Sequence, residues 1–157
     1  MAVKAPILFF LSLTTMLGSG CSSGNSCGDL GGSVTIDYKI CDYQKVVIQR
    51  SESEETPIAM IVGYVRETQG TLEWLVKVVA NWPVEAGKEK DLVTGGSVEH
   101  HAIGGAVFPD LQLGTITFDT LGEPGQNASG KFFATFVGEG GTLNGDFSGT
   151  VQRLTPE

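Results

Sequence analysis

The sequence predicts an all-β domain, either an antiparallel β-sandwich or a small, partly closed β-barrel of about seven or eight strands. Three observations point there. Apolar residues recur at every second position through most of the chain, the repeat of a half-buried strand. Turn-forming glycine, proline and asparagine separate those runs. No segment makes a convincing helix.

Val34, Ile36 and Tyr38 alternate with Thr35, Asp37 and Lys39 and read as a first strand, and residues 45–50 as a second. Residues 51–56 hold three glutamates and no apolar residue, a solvated loop ended by Pro57. A mostly apolar strand follows at 58–66, with Gly63 as a bulge or a point of close packing. Residues 71–82 are ambiguous: Leu72, Leu75, Val76 and Val79 fit a helical stripe, whereas Leu72, Trp74, Val76 and Val78 fit one strand face. The β-branched content and the missing cap favour the strand. Residues 84–92 read as a loop with one helical turn, because Gly87 and the short length weaken a helix. Residues 97–103 form a strand with weaker alternation.

The last third is the most regular. Ile116 and Phe118, then Phe132, Ala134 and Phe136, then Leu143, Gly145, Phe147, Gly149 and Val151 each occupy one face of a strand. The three strands start near Gly114, Gly130 and Gly145, a spacing that consecutive antiparallel hairpins produce. A Gly-x-Phe-x-small-Thr-apolar pattern occurs twice, from Gly130 and from Gly145; two copies are too few for a solenoid. Phe118, Phe132, Phe136, Phe147 and Trp74 are the expected core. Gly145 and Gly149 should let bulky neighbours pack on bare backbone, so Gly149→Val should destabilise the domain.

The N-terminal residues read as an address. Lys4 supplies a positive charge, residues 7–17 are mostly apolar, and Gly18, Ser19 and Gly20 are small, the layout of a secretory signal. Eleven residues rise only about 16 Å as a helix, against a hydrocarbon core of about 30 Å, too short for a permanent span. The stretch Leu17-Gly-Ser-Gly-Cys21 resembles the lipobox of bacterial lipoprotein precursors, with Gly18 where an aliphatic residue is usual and Leu17 one place further back. The resemblance implies that Cys21 is lipidated and becomes the mature N-terminus, and Ser22 after it implies sorting to the outer membrane or cell surface. The other reading is an ordinary signal cleaved near Gly20, with Cys21 free or disulfide-bonded. The C-terminal Gly-x-Phe pattern is weakly similar to that of uncharacterised β-rich bacterial lipoproteins, which implies no activity.

The organisation expected is a signal peptide at 1–20, a lipidated cysteine and Ser/Gly/Asn-rich tether at 21–32, and one β domain at 33–157. The chain has three cysteines. Lipidating Cys21 leaves Cys27 and Cys41 as an even pair, whose closed loop of about fifteen residues would stabilise the fold by about 3 kcal/mol. Two independent thiols are the alternative.

Charge narrows the partners. The full chain has a formal charge of −8, and losing residues 1–20 removes Lys4 and no acid, giving −9. So acidic a domain repels phosphate backbones and anionic head groups. Nucleic acid is therefore not an expected partner, and any membrane attachment is expected to come from N-terminal acyl chains.

Candidate chemistry is sparse. His100 and His101 are the only histidines, and neighbours on a strand face opposite ways, so they do not ligate one metal together. The same directional problem separates His100 from Glu99. Ser97, Ser129 and Ser148 lie in glycine turns or on polar faces, outside any Gly-x-Ser-x-Gly elbow. Asp119, Glu123, Glu139 and Asp146 lack a calcium-loop spacing. We therefore expect no catalytic residue, no cofactor and no metal site. Residues 82–109, with Lys88, Lys90, both histidines and Phe108, would form loops at one end of the sheets, where binding surfaces gather. The expected function is a lipid-anchored, non-catalytic envelope or surface protein with a structural or ligand-binding domain. The alternative is a lipocalin-like carrier of a lipid or small apolar ligand.

Overall fold

A computed structural model describes residues 26–51, 58–102 and 104–154. The expected signal peptide, Cys21 and residues 52–56 of the expected 51–56 loop lie outside them, whereas Ser51 ends the strand Lys45–Ser51. Two short strands come first, β1 (Ser26–Cys27) and β2 (Leu30–Gly31), then a helical turn α1 (Val34–Asp37) and a 3-10 turn (Ile40–Asp42). β3 (Lys45–Ser51), β4 (Ala59–Thr68), β5 (Thr71–Asn81) and β6 (Glu89–Asp91) follow. A second helical turn, α2 (Leu92–Gly95), leads to β7 (Gly96–His101), β8 (Leu111–Thr120), β9 (Asn127–Phe136) and β10 (Thr142–Leu154).

The strands form one sheet in the order β6-β8-β9-β10-β3-β4-β5-β7, with β2 on the edge of β10 and β1 on β2. The sheet curls until it is nearly a closed barrel. Every pairing is antiparallel except β10 with β3, where Val151 to Leu154 run parallel to Ile48 to Ser51. β6 and β7 are the two free edges, and α2 carries the chain from one to the other across the seam. Asp91 caps that turn, accepting from the Val93 amide at 2.9 Å and the Thr94 hydroxyl at 2.6 Å.

The alternation read in the last third is the alternation observed: Ile116, Phe118, Phe132, Ala134, Phe136, Leu143, Phe147 and Val151 all point inward and are buried. The repeated Gly-x-Phe pattern acquires a packing reason. β9 and β10 pair so that Gly145 lies opposite Phe132 and Gly130 opposite Phe147. Each phenylalanine covers the other strand's glycine; a Cβ on Gly145 would come within 2.5 Å of the Phe132 ring, and one on Gly130 within 2.8 Å of the Phe147 ring. Across the barrel Tyr64 is fully buried and donates its hydroxyl to the Asp146 carbonyl at 2.5 Å. Burial, first, and the nearby Asp29 then push its phenol far above the ordinary tyrosine value.

Four expectations need correction. Val34 to Tyr38 is not a strand: β2 and β3 occupy the edge of β10 away from β9, leaving no ladder for a further strand there. The segment instead makes a turn, with Tyr38 N–H donating to Val34 C=O at 3.2 Å and the Thr35 hydroxyl to Gly32 C=O at 2.9 Å. Val34 and Ile40 are buried by that turn. The expected tether is also corrected: its residues 26–31 contain strands β1 and β2, and Leu30 is a core residue paired to Gly145.

Trp74 is the third correction. The β5 register shifts between Trp74 and Lys77, so Leu75 and Val76 are both buried and the face reverses. Val76, Val78 and Ala80 point in, whereas Leu72 and Trp74 point out, with the indole lying over Gly63, where a Cβ would meet it at 2.3 Å. Close packing at Gly63 was the correct expectation. The fourth concerns Gly149: a Cβ there meets only Ile48 at 3.7 Å, ordinary contact. The expected packing reason for its being glycine therefore belongs to Gly145. The 84–92 loop also contains the short strand β6, and its helical turn falls just beyond it, at α2.

Candidate binding site around His100

Because β6 spans only Thr115 to Thr117 of β8, the lower half of the seam between β7 and β8 is open. A groove of about 390 Å³ runs along it, walled by β7, by Leu92 and Val93 of α2, and by residues 107–111. Strand alternation on β7 divides its two chemistries. Val98 and His100 face inward; Ser97, Glu99 and His101 face outward.

His100 is 6% exposed. Its Nδ1 lies 2.5 Å from the Leu75 carbonyl, which can only accept, so Nδ1 is the donor and, in the neutral ring, Nε2 keeps its lone pair. The imidazole is held in an aromatic cluster: Tyr38 edge-on at 5.6 Å, Phe108 at 5.3 Å, and Phe136 behind Phe108 at 4.9 Å. Of the residues expected in loops at one end of the sheets, both histidines lie on strand β7; His100 packs against Phe108, which is buried, and His101 faces outward. Lys88 pairs with Glu85 and Lys90 reaches the Pro83 carbonyl at 3.3 Å, both away from the groove.

On the outer face Ser97 donates to Glu99 at 2.6 Å, His101 Nε2 lies 2.7 Å from the other oxygen of that carboxylate, and Lys77 is 3.5 Å away. Burial raises the Glu99 carboxyl most, yet the Ser97 and His101 hydrogen bonds and the Lys77 and His101 charges together outweigh it and hold it below the ordinary glutamate value. Serine, glutamate and histidine are present, but the carboxylate sits between the other two. A nucleophilic serine needs the imidazole as its immediate neighbour, so this order makes a charged surface network.

A second cleft, of about 260 Å³, lies on the other side of His100, lined by Tyr38, Lys39, Asp42, Arg66 and glycines 104 and 105. Arg66 and Glu73 are direct cross-strand partners on β4 and β5. Glu73, only 5% exposed, takes both Nε and Nη2 of Arg66, at 2.8 and 2.5 Å, and the Thr68 hydroxyl at 3.2 Å. Sequence reading missed this pair. Opposite charges seven residues apart, flanking Gln69-Gly70, were the available signal; both turn residues have positive φ, as a two-residue type I′ hairpin demands.

Cys27 and Cys41 form a disulfide with Cα atoms 5.2 Å apart. It ties β1 to the 3-10 turn and so holds Val34, Tyr38 and Ile40 against the barrel. Among the described residues no group of three or more His, Cys, Asp or Glu side chains gathers as a metal site, and no helix is long and apolar enough to cross a membrane. Compared with known proteins, the chain finds no matching family model, no matching curated protein and no matching solved structure.

Proposed function

We propose that this chain is a lipid-anchored, non-catalytic envelope or surface protein. Acyl chains on Cys21 hold a disulfide-clasped β-barrel domain, of structural or ligand-binding role, at the membrane surface. The observation that carries this reading is the division of the cysteines. Cys27 is bonded to Cys41, which leaves the third, Cys21, directly behind the apolar run and the small residues of the lipobox-like stretch. Five residues from Cys21 to Ser26 reach at most about 18 Å, so the barrel would lie close against the bilayer. Its acidic surface disfavours anionic lipid, so the acyl chains supply the attachment.

The interior supports a structural wall better than a carrier. An eight-stranded barrel has room for side chains or for one small ligand, and Tyr64, Phe118, Phe132, Leu143 and Phe147 fill this one. Mass spectrometry of lipids co-purified with the protein separates the two readings: none at stoichiometry is expected, and a stoichiometric apolar ligand would favour the carrier. The anchor is tested by metabolic labelling with palmitate. Label is expected in the wild type and absent from Cys21→Ser; equal labelling of both refutes the proposal.

A further inference from the structure

Lys39 and Arg66 line one cleft together with Asp42, and a second carboxylate, Glu73, is bound to the far edge of Arg66. Arg66 is oriented, not merely paired: buried Glu73 clamps the Nε–Nη2 edge of the guanidinium, leaving Nη1 toward the cleft. There, among the described residues, Nη1 has only Asp42 as an ion-pair partner, at 3.6 Å and with a side chain 67% exposed. Lys39 also lines the cleft. Its backbone is in the left-handed region at φ 51, a conformation that non-glycine residues adopt where surrounding structure imposes it, and its ammonium has no ion-pair partner among the described residues. His100 closes the back, its Nδ1 committed to Leu75, and its Nε2 facing Gly105, where a Cβ would stand 2.8 Å away.

Two cationic side chains thus line one small cleft with an acceptor, the Asp42 carboxylate, and with His100, whose Nε2 is a second acceptor when the ring is neutral. A fully deprotonated oxyanion would satisfy the donors and be repelled by the acceptors. An oxyanion that keeps a proton satisfies both. Inorganic phosphate retains at least one O–H at neutral pH; sulfate has none, and a phosphate monoester, with a second pKa of about 6, has mostly lost its own. We propose that this cleft binds inorganic hydrogenphosphate, its charged oxygens on Lys39 Nζ and Arg66 Nη1 and its O–H donated to Asp42 or His100. The inference rests on the ligand-binding half of the proposed function and is independent of the lipid anchor.

The purified protein, labelled with ¹⁵N, is titrated at neutral pH with inorganic phosphate, sulfate and glycerol phosphate while the Gly104 and Gly105 amides and the His100 ring are followed by NMR. Phosphate should give saturable shifts at those positions, with sulfate and glycerol phosphate weaker by about tenfold, the scale of a charged acceptor left unsatisfied. Lys39→Gln should weaken phosphate about threefold, the scale of one exposed charge pair. Asp42→Asn should bring sulfate close to phosphate, because the repelling carboxylate is gone. Both substituted side chains are exposed, so the fold is retained. No saturable phosphate shift, equal midpoints for phosphate and sulfate in the wild type, or discrimination unchanged in Asp42→Asn would each overturn the proposal. Palmitate labelling is unaffected by any of these results, so failure of the cleft and failure of the anchor are told apart.

Discussion

The wall formed by β8, β9 and β10 and the wall formed by β4, β5 and β7 enclose the same core by different means. In the first, glycine and phenylalanine alternate across paired strands, each ring lying over the opposite glycine. Its inward positions carry no charged side chain. In the second, β5 shifts register, Glu73 is buried against Arg66, and His100 is buried against Leu75. The first wall spends its sequence on packing, and the second places polar groups at the edge of the core, where the candidate cleft opens. Regular alternation therefore marks scaffold here, and its interruption marks the place where chemistry can be held.

Substitutions can break that contrast. Phe132→Ala should destabilise the regular wall most, by about 3–5 kcal/mol, since it leaves a cavity and uncovers Gly145; the shift in denaturant midpoint measures it. Glu73→Ala should cost about 3 kcal/mol by leaving Arg66 without its buried partner, whereas Glu73→Gln, which keeps an acceptor oxygen, should cost visibly less. If the two Glu73 variants unfold alike, the second wall is ordinary packing. Gly145→Ala should cost about 1–3 kcal/mol by overpacking, because its Cβ would meet Phe132, Tyr64 and Leu30 all within 2.8 Å. Gly149→Ala should fall within about 0.5 kcal/mol of wild type, and thermal unfolding of this pair isolates close packing from strand propensity.

The smallest effect concerns pH. Glu99 is held below its ordinary value in the folded state, so its contribution is present above the unfolded glutamate pKa and is lost as pH falls through the lower folded value. Stability should decline shallowly over that acidic interval, and Glu99→Gln should flatten the decline. An unchanged slope would mean that the Ser97–Glu99–His101 network is energetically silent.

The scaffold was legible in the sequence because strand alternation and turn glycines are local signals. Phe118, Phe132, Phe136 and Phe147 could be assigned to the core by counting positions alone. What could not be read depended on neighbours distant in the chain. Val34 to Tyr38 alternates like a strand, but the edge it would need is taken by β2 and β3. Trp74 belongs to the outer face only because β5 bulges, and Gly149 differs from Gly145 only because Phe132 lies over the latter. The cleft was still harder to see: Lys39, Asp42, Arg66 and His100 come from four separate segments, and only the Arg66–Glu73 hairpin pair left a local trace.

Cys21 is proposed as the membrane anchor of a domain whose other two cysteines are bonded to each other. Intact mass measurement of the mature protein extracted from the membrane fraction tests it most directly. A chain that begins at Cys21 is expected, heavier than its residues by the attached acyl groups and lighter by the two hydrogens of the Cys27–Cys41 bond. A mature chain whose Cys21 carries a free thiol, or is disulfide-bonded, would contradict it.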